Sequence, residues 1–123
     1  RAGDQSMRHC LLAWLCLLVA VLAAGWHGAA SAHQAMSGWS YPYTCCSDRD
    51  CAEISPETVR EGAGGYQVTV QPGSHPMWPK VRADPLVIAI PYRESKASPD
   101  GRFHLCIDGS GKLLCFFAAI GGS

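Results

Sequence analysis

The longest apolar stretch in the chain runs from Leu11 to Ala24, LLAWLCLLVAVLAA, without a charge. Arg8 precedes it, and Gly25, Trp26, His27 and Gly28 break it. Its 14 residues fall short of a membrane span, which needs roughly 20 apolar residues. A basic residue, a short apolar core and then the small residues Ala30-Ser31-Ala32 make a secretory signal that starts at Met7. Cleavage is expected between Ala32 and His33. A retained anchor is the rival reading, and the length of the run argues against it. Residues 1–6 are thus set apart from the fold, 7–32 form the signal, and 33–123 form one exported domain that keeps no membrane span after cleavage.

Past the signal the pattern changes several times. His33 to Thr44, HQAMSGWSYPYT, has no period and reads as an extended arm that lays Trp39, Tyr41 and Tyr43 on the domain. Ser55-Pro56-Glu57 opens a helix, with a hydroxyl cap, proline at the first helical position and an acid in the first turn. Gly62, Gly64 and Gly65 keep that helix short. Gly65 to Val70 alternates as a strand with one wet face, and Pro72-Gly73 turns the chain. Ser74 to Pro85 holds three prolines and reads as a loop, with Trp78 covering part of the core. Leu86 to Ile90 is a buried strand that Pro91 ends or places at an edge. Ser98-Pro99-Asp100-Gly101 is a type I turn. Arg102 to Ile107 and Lys112 to Ala118 are the arms of a terminal hairpin around Asp108-Gly109-Ser110-Gly111, and Gly121-Gly122-Ser123 is a frayed tail. The sum is a small α+β domain of mostly antiparallel strands, with one short helix and a C-terminal hairpin.

Size makes the cysteines matter. A domain of about 90 residues buries only roughly 60–65% of its unfolded surface and is marginal without staples. The chain has seven cysteines. Cys10 and Cys16 leave with the signal, and Cys45, Cys46, Cys51, Cys106 and Cys115 stay. In an exported domain they are expected to form disulfides. Five is odd, so one sulfur is left as a free thiol or as the link of a disulfide-joined dimer. A bridge between the neighbours Cys45 and Cys46 forces a strained ring. If Ser110-Gly111 forms a two-residue loop, Cys106 and Cys115 face each other and can bond; another register frees them to reach Cys45, Cys46 or Cys51. At least one bridge from the N-terminal cluster to the hairpin is expected, because local bridges alone would leave the arm loose.

Charge excludes more than it suggests. Ten basic and ten acidic residues cancel, and no like-charge block points to nucleic acid or an anionic surface. The cysteine spacing lacks the repeated close pairs of a zinc site, and no Cys-x-x-Cys redox motif is present. There is neither a nucleophile-elbow serine nor a glycine-rich phosphate loop.

The candidate chemistry is therefore sparse. His33, once exposed as the amino terminus, offers an amine and an imidazole together, a chelate suited to Cu(II), with His75 or His104 as a second ligand. His104 and Cys106 share a strand face, so the histidine could lower the thiol's pKa unless Cys106 is bridged. Asp48 and Asp50 read as local capping groups more readily than as a cation site. Trp39, Tyr41, Tyr43 and Trp78 offer an aromatic surface for a partner, or else a lid over the core.

Taken as a set, Cys45-Cys46 with Asp50-Cys51, then Ile90-Pro91-Tyr92-Arg93-Glu94, then Ser98-Pro99-Asp100-Gly101-Arg102-Phe103-His104-Leu105-Cys106, then Cys115-Phe116-Phe117-Ala118 resembles a family of small uncharacterised exported proteins of proteobacteria. The likeness spans Trp39 to Ala118. After Ala118 that family's pattern has prolines, where this chain has Ala119-Ile120. The resemblance implies a periplasmic or secreted home and brings no activity or catalytic residue. The expectation is an exported, disulfide-stabilised, non-enzymatic domain without a cofactor that binds an envelope protein or ligand. The alternative is a copper- or redox-handling periplasmic protein using His33.

Overall fold

A computed structural model describes residues 2–24 and 33–120. They fall into two compact units divided after Ser31. The first holds one helix, α1 (Ala2–Ala24), rich in the helix formers leucine and alanine. It starts ahead of Met7 and carries the apolar run to its end. Among the described residues no helix is long and apolar enough to cross a membrane. The small residues Ala30-Ser31-Ala32 and the tail Gly121-Gly122-Ser123 lie outside the described residues.

With α1 and two mostly antiparallel sheets the chain is of the α+β class, and the second unit is built from strands. They are β1 (Cys51–Glu53), β2 (Val59–Gly62), β3 (Gly65–Val70), β4 (Leu86–Pro91), β5 (Ser95–Ala97), β6 (His104–Ile107) and β7 (Leu113–Ala118). One sheet has the order β1-β6-β7-β5 and the other β2-β3-β4. All pairings are antiparallel except β5 with β7.

Alternation along β6 and β7 organises the packing. Leu105, Ile107, Phe116 and Ala118 join Val68, Val70 and Ile90 in one core, so the two sheets pack together there. Cys106, Cys115 and Phe117 lie in a second core with Ala35, Tyr41, Cys45, Cys46 and Cys51, under the N-terminal arm. Successive side chains of a strand point to opposite faces. The four-stranded sheet is therefore a middle layer, with the small sheet on one side and the arm on the other, and β6 is buried along its whole length.

The expected helix after Ser55 is not there. Pro56–Thr58 makes a single 3₁₀ turn, and Val59 begins β2. Val59 pairs with Val68 and Gly62 with Gly65, so Ala63-Gly64 is a two-residue hairpin loop. The glycines that seemed to end a helix close a hairpin, and Val59, a β-branched residue, turns toward the core beside Val68. In the terminal hairpin Ile107 pairs with Leu113, with an irregularity beyond it, so the connection is Asp108 to Lys112 and not Ser110-Gly111 alone. The Asp108 carboxylate accepts hydrogen bonds from the backbone N–H groups of Ser110 and Lys112 and holds that loop.

Gly65 starts β3 at φ 147°, and a Cβ there would lie 2.1 Å from the Ile90 carbonyl oxygen on β4. An alanine would push the central pairing of the small sheet apart. We expect Gly65→Ala to cost at least about 2 kcal/mol, read from the urea midpoint, whereas Gly64→Ala, which meets no atom within 4 Å, should cost well under that.

Candidate functional site: a cystine cluster and a buried tyrosine–histidine–aspartate chain

Two disulfides join the N-terminal cysteines to the terminal hairpin: Cys45–Cys115 and Cys51–Cys106. The expected link between cluster and hairpin is thus made twice. Cys106 and Cys115 do face each other as register partners, yet they do not bond. Cys106 has β1 on its other side, where Cys51 is its partner across the strands. Cys115 is met by Cys45 at the end of the arm. Because Cys106 is bridged, His104 has no thiol there to activate.

The odd sulfur is Cys46. It is free, yet only 1% exposed. Its thiol donates to the Asp48 carbonyl oxygen at 3.4 Å. The side chain of Asp50, the other acid of that loop, accepts from the Ser47 N–H and hydroxyl at 3.1 and 2.8 Å, a local cap.

The most organised polar group was not singled out from the sequence. Asp100, in the turn before β6, accepts from five donors. The Ser37 hydroxyl is at 2.5 Å, Trp39 Nε1 at 3.1 Å, the Ser98 hydroxyl at 2.6 Å, the Arg102 N–H at 3.0 Å, and His104 Nε2 at 2.9 Å. A carboxylate only accepts, so His104 Nε2 carries the hydrogen. In the neutral ring Nδ1 then accepts the Tyr41 hydroxyl, at 2.8 Å. Burial alone would push the Asp100 carboxyl up. The bonds from Ser37, Ser98, His104 and the Arg102 N–H outweigh it and hold the group well below the usual carboxylate range. Tyr41 is pushed up to about 12, by burial first and then by Cys46, Asp100 and Glu53.

Such a chain orients a proton donor in many enzymes, but here it ends inside the protein. His104 is fully buried, and Tyr41 is 2% exposed. Its product is mechanical: residues 37, 39 and 41 of the arm are fastened to Asp100 in the turn before β6 and to His104 on that strand. One cue in the sequence could have pointed to it, an acid in the turn that feeds a strand bearing a histidine on the face opposite its leucine.

The second buried histidine is another strut. His75 Nε2 donates to the Leu105 carbonyl oxygen at 3.0 Å, and Nδ1 accepts the Met77 N–H at 3.1 Å. Burial lowers its pKa, against the Leu105 bond and the charge of Asp50, which raise it. It pins the proline-rich loop to β6 as a neutral ring.

These bonds change the copper expectation. His33 is exposed and stacks on Tyr41, with ring centroids 6.1 Å apart and planes within 3°. Both nitrogens of His75 and of His104 are already engaged, so neither is a second ligand as it stands. Among the described residues no group of three or more His, Cys, Asp or Glu side chains is placed to hold a metal ion.

The four aromatic candidates do not form one surface. Trp39 packs edge-on to Tyr41, His104 and Phe117, with centroids 4.7–5.2 Å apart, so Trp39 and Tyr41 are part of the lid. Tyr43 stands 70% exposed. Trp78, half-buried, donates Nε1–H to the Asp84 carbonyl oxygen and carries the Arg82 guanidinium 4.4 Å over its ring. A cleft of about 360 Å³ lies by the β2–β3 hairpin against Arg60, Tyr66 and Pro91, away from all of these residues. No family model matches the chain, and neither a curated protein nor a solved structure matches it.

Proposed function

We propose that the chain is exported to the periplasm or beyond and acts there as a non-enzymatic binding domain for another envelope component. The observation that carries this reading is the pair of disulfides, which tie the first cysteines of the domain to its last hairpin. Such bonds persist in an oxidising compartment, and they agree with the signal-like segment ahead of His33. Further support comes from the polar interior. Among the described residues no buried side-chain nitrogen or oxygen lacks a partner, and the most catalytic-looking set, Tyr41–His104–Asp100, is spent on fastening the arm. Exposed apolar side chains such as Tyr43 and Val81 leave contact surface for a partner.

Intact mass of the protein recovered from the envelope, before and after reduction and alkylation, is the direct test. The expected form starts at His33, carries two bridges and, in denaturant, gains one alkyl group without reduction. Retention of residues 7–32, or five alkylated cysteines without reduction, would refute it. The copper reading keeps one supporting observation, the ordered stacking of His33 on Tyr41. Calorimetric titration of the same preparation with Cu(II) separates the two: micromolar or tighter binding that requires His33 would favour copper handling.

A further inference from the structure

The arm from His33 to Cys46 has a peculiarity in its backbone. Its turn and loop hydrogen bonds all close within itself: Ala35 N–H to the Trp39 carbonyl, Gly38 to Ala35, Tyr41 to His33, and Cys45 and Cys46 to Pro42. Its one β-bridge, Gln34 with Ser40, is internal as well. No strand of either sheet pairs with it. What fastens it to the domain is a set of side chains, Ser37 and Trp39 on Asp100 and Tyr41 on His104, with the Cys45–Cys115 bond at its far end. Its residues 35 and 41 cover the core that holds the free Cys46 and both disulfides.

We infer that residues 33–44 are a strap, latched at Asp100 and hinged at the Cys45–Cys115 bond, whose opening uncovers the Cys46 thiol while both sheets stay folded. The physical grounds are those of local unfolding. A segment opens independently when few bonds tie it to the rest and its own backbone bonds move with it. Lifting the strap breaks three side-chain hydrogen bonds and draws Ala35, Trp39 and Tyr41 off the core beside Phe117, while the backbone ladders of both sheets stay intact. The disulfide sets how far it can travel. The sheets, by contrast, are held by backbone ladders and by the opposite core, which the strap does not touch. Access to the only cysteine left unbridged in the domain is therefore governed by a carboxylate 54 positions further along the chain.

Pulse alkylation of the full chain with N-ethylmaleimide under native conditions tests this, with Cys46 followed by the mass of its own peptide so that Cys10 and Cys16 do not interfere. Two variants loosen the latch and leave every strand residue unchanged: Ser37→Ala, and Trp39→Phe, which keeps a ring against Phe117 and loses the N–H. A third, Val68→Ala, weakens the opposite core. Either latch variant should speed labelling of Cys46 by roughly tenfold, the scale of one hydrogen bond to a charged group, while Val68→Ala leaves it within about twofold. Labelling that accelerates in Val68→Ala as much as in the latch variants would mean that Cys46 is reached only through global unfolding, and the strap is then wrong. Equal labelling in all three variants and the parent would also overturn it.

Discussion

Reduction of the two disulfides unfolds the domain in buffer where the oxidised protein is native. Cys45–Cys115 spans 70 positions and Cys51–Cys106 spans 55. On the chain-entropy account a single bridge over such a span removes about 4 kcal/mol of freedom from the unfolded state. The whole stability of a domain this small is about 5–10 kcal/mol. The two loops overlap, so the second bridge adds less than the first, but losing both takes most of what is there. The arm suffers first because Cys45 is its only covalent tie to β7. The measurement is circular dichroism and urea unfolding with and without a reductant. Cys51→Ala/Cys106→Ala should lower the free energy of unfolding by about 2–4 kcal/mol with Cys45–Cys115 intact. A reduced domain whose urea midpoint equals that of the oxidised one would show that the cores suffice without cystines.

Asp100→Asn comes next in size. The amide keeps the shape but presents an NH₂ where donors converge, so some of Ser37, Trp39, Ser98, Arg102 and His104 lose an acceptor. The carboxyl side chain is 12% exposed and the histidine is fully buried, so water replaces these bonds poorly. A loss of about 3 kcal/mol is expected, the scale for breaking a buried charged network from one side. The pH dependence has a definite sign. The folded carboxyl titrates below its unfolded value of ~3.9, so its contribution is complete above that value and fades as pH falls toward the depressed folded one. The gap in stability between parent and Asp100→Asn should therefore be present at about pH 5 and shrink below about pH 4. Asp108 is also held low by its loop bonds, but it is common to both proteins and cancels in the difference. A gap that does not change down to pH 2, or that is absent at pH 7, contradicts the latch.

Much of the strand pattern could be read directly from residue order. Gly65 to Val70 announces itself by alternation and Leu86 to Ile90 by an unbroken apolar run, and the structure pairs them with each other; the second is not the buried strand expected, because β4 lies at the edge of its sheet and leaves Val87 55% exposed. The terminal hairpin is visible from its Asp-Gly-Ser-Gly turn, and the alternation that sets His104 and Cys106 apart from Leu105 also holds. Ser55-Pro56-Glu57 misled because helix-start chemistry and a 3₁₀ turn ask for the same residues, and only the pairing of Val59 with Val68 decides between them. The disulfide partners were open because connectivity depends on which strand lies beside β6, a long-range fact. Asp100 was hidden for a related reason. A proline-aspartate-glycine turn accounts for that aspartate locally, and nothing in the neighbouring residues says that Ser37 and Trp39 come back to it from more than 60 positions away.

The way the bridges reach across the chain also sets a schedule. A chain that emerges N-terminus first presents Cys45, Cys46 and Cys51 as three thiols within seven residues, long before Cys106 and Cys115 appear. Every bond those three can make among themselves is a wrong one, since the native partners lie 70 and 55 positions downstream of Cys45 and Cys51. An oxidant that acts early therefore traps the domain, and one that waits, or an isomerase that undoes early bonds, completes it. The cystines thus time maturation as well as bracing the fold: the strap cannot be tied at Cys45 until the final strand has arrived.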